Sequence, residues 1–160
     1  MRDTKIFDEA VMAFFEPIAR RLALPLLKVR DGVYEIPSPH FIMRVRLDTG
    51  HRRGFNVILR PASAREFDEN KPGIQYGIGA FMQLYGEGLE QTFINVDSDE
   101  DFLKRAQLLA QTAERYGVPY LLGQGKDWEA VREMVSKKTA ADLEEIGKYR
   151  FPNNVRKEWI

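Results

Sequence analysis

Hydrophobic residues recur at three- and four-residue spacing from the start of the chain: Ile6, Phe7, Ala10, Val11, Phe14, Phe15, Ile18 and Leu22. That period places them on one broad face and predicts a helix. Pro17 falls inside the stripe and has no N–H to give, so a kink or restart is expected near Phe15-Glu16. From Leu24 the period drops to two. Leu26 to Val29 and Val33 to Ile36 read as short strands around Asp31-Gly32, a pair that tolerates the positive φ of a tight turn, and Pro37 and Pro39 end that hairpin. In FIMRVRLDT, Phe41, Met43, Val45 and Leu47 alternate with Ile42, Arg44, Arg46 and Asp48. FNVILR continues the alternation, with Phe55, Val57 and Leu59 opposite Asn56, Ile58 and Arg60. Both segments predict half-buried antiparallel strands.

Residues 61–77 are rich in proline, glycine and polar groups and read as a long loop. Ile78, Phe81, Met82 and Tyr85 then match a short helix, and TFINV at 92–96 matches a strand. Ser98 with Asp101 three residues later forms a capping box, and Asp99, Glu100 and Asp101 suit the positive end of the helix that follows. This helix is expected to stop at Gly117 in a left-handed conformation. A further helix is predicted over Trp128 to Ser136, another turn or two over Ala140 to Tyr149, and a loosely held tail from Phe151. Strands grouped together between helices define an α+β fold. The expectation is one domain over residues 1–160, with an antiparallel sheet of about four to five strands flanked by an N-terminal helix and C-terminal helices.

Composition narrows the function classes. Hydrophobic residues make up 44% and charged residues 30% of the 160, which suits an ordinary globular domain. Twenty-four basic residues balance 24 acidic ones, so any attraction for nucleic acid has to be local. The absence of cysteine removes disulfides, thiolate chemistry and Cys-rich zinc sites. The N-terminal segment has charges every few residues, unlike a signal peptide, and no run approaches a membrane span. A cytoplasmic protein with no membrane partner is expected.

The sharpest motif is Asp48-Thr49-Gly50, the triplet of retroviral-type aspartic proteases. Such a site needs two aspartates in an apolar, all-β frame. Here Arg46 precedes the triplet and His51, Arg52 and Arg53 follow it, so a polar hairpin connection is the better reading. The glycines of YGIGAFM have Met82 at the third glycine position of a dinucleotide loop and a polar segment before them, which leaves close backbone packing or a bend. No Walker-type Gly-Lys-Ser/Thr exists. His40 and His51, the two histidines, fall in different turns, where a metal site needs three or four convergent ligands. No catalytic residue, metal ligand or cofactor is therefore assigned. An enzyme with a site near His51 and Asp48 stands as the most remote alternative.

Charge distribution is more informative. Between His40 and Arg65 lie Arg44, Arg46, Arg52, Arg53, Arg60 and Arg65 itself, against the single acid Asp48. Arg44, Arg46 and Arg60 share the non-core face of the predicted strands, with His51, Arg52 and Arg53 at the turn between them. These six, Arg44, Arg46, His51, Arg52, Arg53 and Arg60, are the candidate partner-binding residues. Arginine suits bidentate contact with carboxylate or phosphate. The competing reading pairs this face with the protein's own acids.

The aromatic-rich first helix FDEAVMAFFEPIARRL, the strand FNVILR and the segment DFLKRAQLLAQTAERYGVPYLLG before a Trp-containing helix resemble a loosely defined group of small bacterial α+β domain families, immunity proteins of polymorphic toxin systems among them. That resemblance implies stoichiometric binding of a partner protein and no catalysis. A protein-binding module using the polar sheet face and adjoining loops is the leading expectation. The alternative is a nucleic-acid-binding accessory domain using the same arginines on phosphates, marked by steep salt dependence. Sequence alone leaves the oligomeric state open.

Overall fold

A computed structural model of the chain describes residues 2–49, 53–64, 75–85 and 98–150. The chain divides into two compact units, Met1–Lys126 and Asp127–Ile160. The first holds an antiparallel sheet and its helices; the second is described by its single helix. The fold is α+β.

In the first unit α1 spans Arg2–Phe14 and α2 spans Glu16–Arg21, with the restart at Phe15 and Pro17 in the first turn of α2, where its missing N–H costs nothing. The end of α2 is a Schellman motif. Ala23 N–H donates to the Arg20 carbonyl at 3.1 Å and Leu24 N–H to the Ala19 carbonyl at 2.9 Å, with Ala23 itself left-handed at φ 53°. The chain then enters the sheet, whose strands β1 (Leu27–Arg30), β2 (Val33–Pro37), β3 (Phe41–Thr49), β4 (Arg53–Pro61) and β5 (Tyr76–Gly77) lie in sequence order. Gly32 turns the first hairpin at φ 77°, as the Asp-Gly pair predicts.

The register of β3 on β4 sets the two faces. Met43, Val45 and Leu47 stand opposite Leu59, Val57 and Phe55, and all six are buried. Phe55 is the hub of this face. Its ring lies 5.3 Å from Phe7 of α1, 5.6 Å from Phe15 and 5.6 Å from Phe102, so the first helices and a later one converge on one strand. Burying each such ring stabilises the fold by about 1.5–3 kcal/mol. The opposite face carries Arg44 against Ile58, Arg46 against Asn56 and Asp48 against Gly54.

After β5 come α3 (Ile78–Leu84) and α4 (Asp99–Thr112). Ser98 is the N-cap as expected, its Oγ accepting the Asp101 N–H at 3.1 Å. The α4 helix does not stop at Gly117 as expected. It widens into a π-helical stretch over Ala113–Gly117 and continues as α5 (Val118–Leu121). Gly117 serves contact, not handedness: a methyl group there would collide with Met43 Cε from the sheet. The left-handed glycine comes later, at Gly123 (φ 76°), in a second Schellman motif closed by Gln124 N–H on the Pro119 carbonyl at 2.8 Å.

Three other expectations change. The end of the segment read as loop pairs with Ile58 and Leu59 and becomes β5. Asp48 and Thr49 are strand residues opposite Gly54 and Arg53, and residues 50–52 lie outside the described residues. The two predicted C-terminal helices are one, α6 (Trp128–Arg150), in the second unit. No proline interrupts it, and exposed pairs such as Lys137 with Glu133 at 2.9 Å suit its solvated surface. The TFINV strand and the tail from Phe151 lie outside the described residues. Among the described residues no helix is long and apolar enough to cross a membrane.

Candidate functional site

The polar sheet face brings together three of the six candidate residues. Arg44 and Glu35 are neighbours across β2 and β3, and the guanidinium donates to Glu35 Oε2 at 3.0 Å. Their side chains are only 17% and 15% exposed, so each is the other's solvent substitute. Arg46 Nε donates to Asp48 Oδ1 at 2.9 Å, and Asn56 Nδ2 donates to the other oxygen, Asp48 Oδ2. Arg60 is buried, and its guanidinium donates to the Ala64 carbonyl. Arg53 is placed by its backbone at the start of β4, while His51 and Arg52 lie outside the described residues. Arg44, Arg46 and Arg60 thus engage the protein's own acceptors, the arrangement weighed against an open cationic patch. His40 is exposed and packs against Gly123, away from Asp48 on the sheet.

At one margin of this face runs β1, an edge strand whose four residues are all exposed. Leu27 stands opposite Glu35 and therefore shares its face; Leu27 and, two residues on, Val29 are 49% and 47% exposed. Lys28 turns the other way, to Asp8 and over the Tyr34 ring. The Tyr34 hydroxyl donates to Asp8 Oδ1 at 2.9 Å, and its pKa is raised by burial first and by that hydrogen bond next.

At the other margin β5 pairs with only two residues of β4, and a cleft of about 410 Å³ opens beside it. Its polar walls are Arg46 and Asn56 from the sheet, Gln75 just before β5 and Arg105 from α4. Ile58, Ile78 and Leu109 supply apolar wall. Burial pulls the Arg105 guanidinium below its ordinary value, and nearby Asp48 opposes that shift. Arg105 Nε and Gln75 Oε1 are shielded from solvent and have no hydrogen-bond partner among the described residues. Sequence reasoning missed Arg105. The available signal was its place three residues after Phe102 and four before Leu109, at the border of the apolar stripe of α4.

Comparison with protein-family models, with curated proteins and with solved structures finds no match to this chain.

Proposed function

We propose that this chain is a non-catalytic protein-binding module whose partner docks on the β1 margin of the sheet. The observation that carries this reading is the edge strand itself. Among the described residues its outer backbone groups have no strand beside them, and two large apolar side chains stand nearly half exposed on it, Leu27 opposite Glu35 of the Glu35–Arg44 pair and Val29 at the bulge. Strand addition supplies such an edge with main-chain hydrogen bonds, and alternate side chains set the specificity. Lys28 and Arg30 favour a partner segment that carries acids. Stoichiometric neutralisation of a toxin, the role implied by the likeness of layout to immunity proteins, is one form such binding takes. The arginines of β3 and β4 act from within this reading as supports of the face, since their carboxylate and carbonyl partners are already in place.

The test is affinity capture of the tagged protein from a lysate of its source, nuclease-treated and untreated, with a Leu27→Asp/Val29→Asp variant beside the native chain. One protein held at near-equal stoichiometry by the native chain and lost by the variant, at unchanged thermal unfolding, supports the proposal. Retention that disappears with nuclease transfers the role to nucleic acid. A partner held equally by both chains removes β1 from the interface.

A further inference from the structure

The cleft at the opposite margin of the sheet has a chemistry of its own. An unsatisfied buried donor or acceptor costs about 1–3 kcal/mol, so native proteins rarely leave one without a use. Here a donor, Arg105 Nε, and an acceptor, Gln75 Oε1, both stand without a partner among the described residues, on side chains that line one cleft. The two guanidiniums of Arg46 and Arg105, set against the one carboxylate of Asp48, leave a net charge of plus one among the described residues there. Ile58, Ile78 and Leu109 give the same space apolar walls. At about 410 Å³ the cleft falls in the size range of small-ligand sites.

We infer that this cleft binds a monoanionic carboxylate that carries an adjacent neutral N–H or O–H donor and an apolar side group. The carboxylate accepts from Arg105, the donor satisfies Gln75 Oε1, and the side group lies against Ile58, Ile78 and Leu109. One negative charge balances the excess positive charge of the walls. A free amino acid, whose ammonium cancels its carboxylate, fits less well than a 2-hydroxy acid or an N-acylated amino acid. The same chemistry is presented by the last residue of a polypeptide, which has a free carboxylate, an amide N–H and a side chain. The inference is independent of the β1 surface, so a Leu27→Asp/Val29→Asp variant retains this binding.

The probe is N-acetyl-L-leucine, titrated into the full chain and followed by two-dimensional proton–nitrogen NMR, with N-acetyl-L-leucinamide as the uncharged control. The expected result is a saturable shift of the Arg105 Nε–H resonance together with the backbone amides of Ile58, Gly77 and Gly79. The amide control binds about tenfold or more weakly, as loss of a charge-assisted contact requires. Arg105→Gln weakens binding by a similar factor, and Arg105→Lys recovers part of it. Ala80→Leu, which fills the cleft without touching a charge, abolishes binding at unchanged unfolding temperature and so keeps the test sound should an Arg105 variant misfold. An N-acetylated hexapeptide ending in leucine separates the two sources. Binding at least as tight as the small acid assigns the ligand to a polypeptide C-terminus, and exclusion of the peptide while the acid binds assigns a free small acid. No saturable shift with either probe, or equal affinity for acid and amide, overturns the inference.

Discussion

The two margins of the sheet solve the problem of an unpaired strand in opposite ways. At β1 no described residue covers the edge: the strand is four residues long, entirely exposed, and protected from indiscriminate pairing by Lys28 and Arg30 and by the bulge between Lys28 and Arg30. At β4 the strand is nine residues long and, among the described residues, faces a two-residue partner, with α4 packed alongside and a cleft beside it that has half-buried Arg105 in its wall. An open edge offers backbone and apolar side chains to another chain. A covered edge offers an enclosed volume with desolvated charge, which suits a small group.

Substitution at the two margins sharpens this contrast most at Phe55 and Leu27. Phe55→Ala in β4 is expected to cost about 3–5 kcal/mol, since three rings from three segments lose their common partner, whereas Leu27→Ala in β1 stays within about 0.5 kcal/mol. Urea denaturation reads both; similar losses would mean that β1 is structural core and would break the comparison. Between the margins, Arg44→Ala leaves Glu35 in a mostly buried position without its cation and is expected to cost about 2 kcal/mol, part of which returns in the Arg44→Ala/Glu35→Ala pair. A double variant no more stable than the single one would show that the two charges act separately.

Tyr34, opposite Lys28 of β1, ties that margin to α1 through Asp8. Tyr34→Phe is expected to cost about 1 kcal/mol at neutral pH. The phenol's pKa is raised on folding, so the folded state holds this proton more tightly than the unfolded chain does. The resulting stability is complete below the unfolded value near pH 10 and is lost as pH rises through the folded value. The variant should lack that part of the alkaline decline in stability, and an unchanged decline would assign it to other groups. The smallest effect lies on the approach to β1. Ala23 occupies the left-handed position of a motif that the chain builds with glycine at Gly123, so Ala23→Gly is expected to stabilise by about 0.5–1 kcal/mol in a thermal melt, and a loss would show that the conformation of Ala23 is unstrained.

Most of this architecture was legible in local pattern. The period-two alternation of FIMRVRLDT identified the inward Met43, Val45 and Leu47 because β3 meets the hydrophobic core on one side, whereas in FNVILR Ile58 and Arg60, read as the outward set, are buried as well. Ser98 and Asp101 marked the start of α4 because capping is decided within one turn. The Tyr76-Gly77 strand could not be read, since two residues carry no period and their pairing with Ile58 and Leu59 is a long-range choice. Gly117 misled for a related reason: the same residue type serves a left-handed turn or a close approach, and only the nearby Met43 side chain tells which. For the candidate surface, the shared face of Arg44 and Arg46 was legible from parity, but their pairing with Glu35 and Asp48 depends on register and rotamer.

By itself, then, the sequence determined the first helix, the four strands up to residue 61, the start of α4, the core-facing residues of the central strands and the exclusion of cysteine chemistry, all of which depend on residue identity and spacing over a few positions. Tertiary structure alone decided which charges are neutralised, which edge of the sheet stays open and where Arg105 comes to rest. These depend on the distance between segments far apart in the chain, and Coulomb and desolvation energies follow that distance and the surrounding dielectric rather than the order of residues.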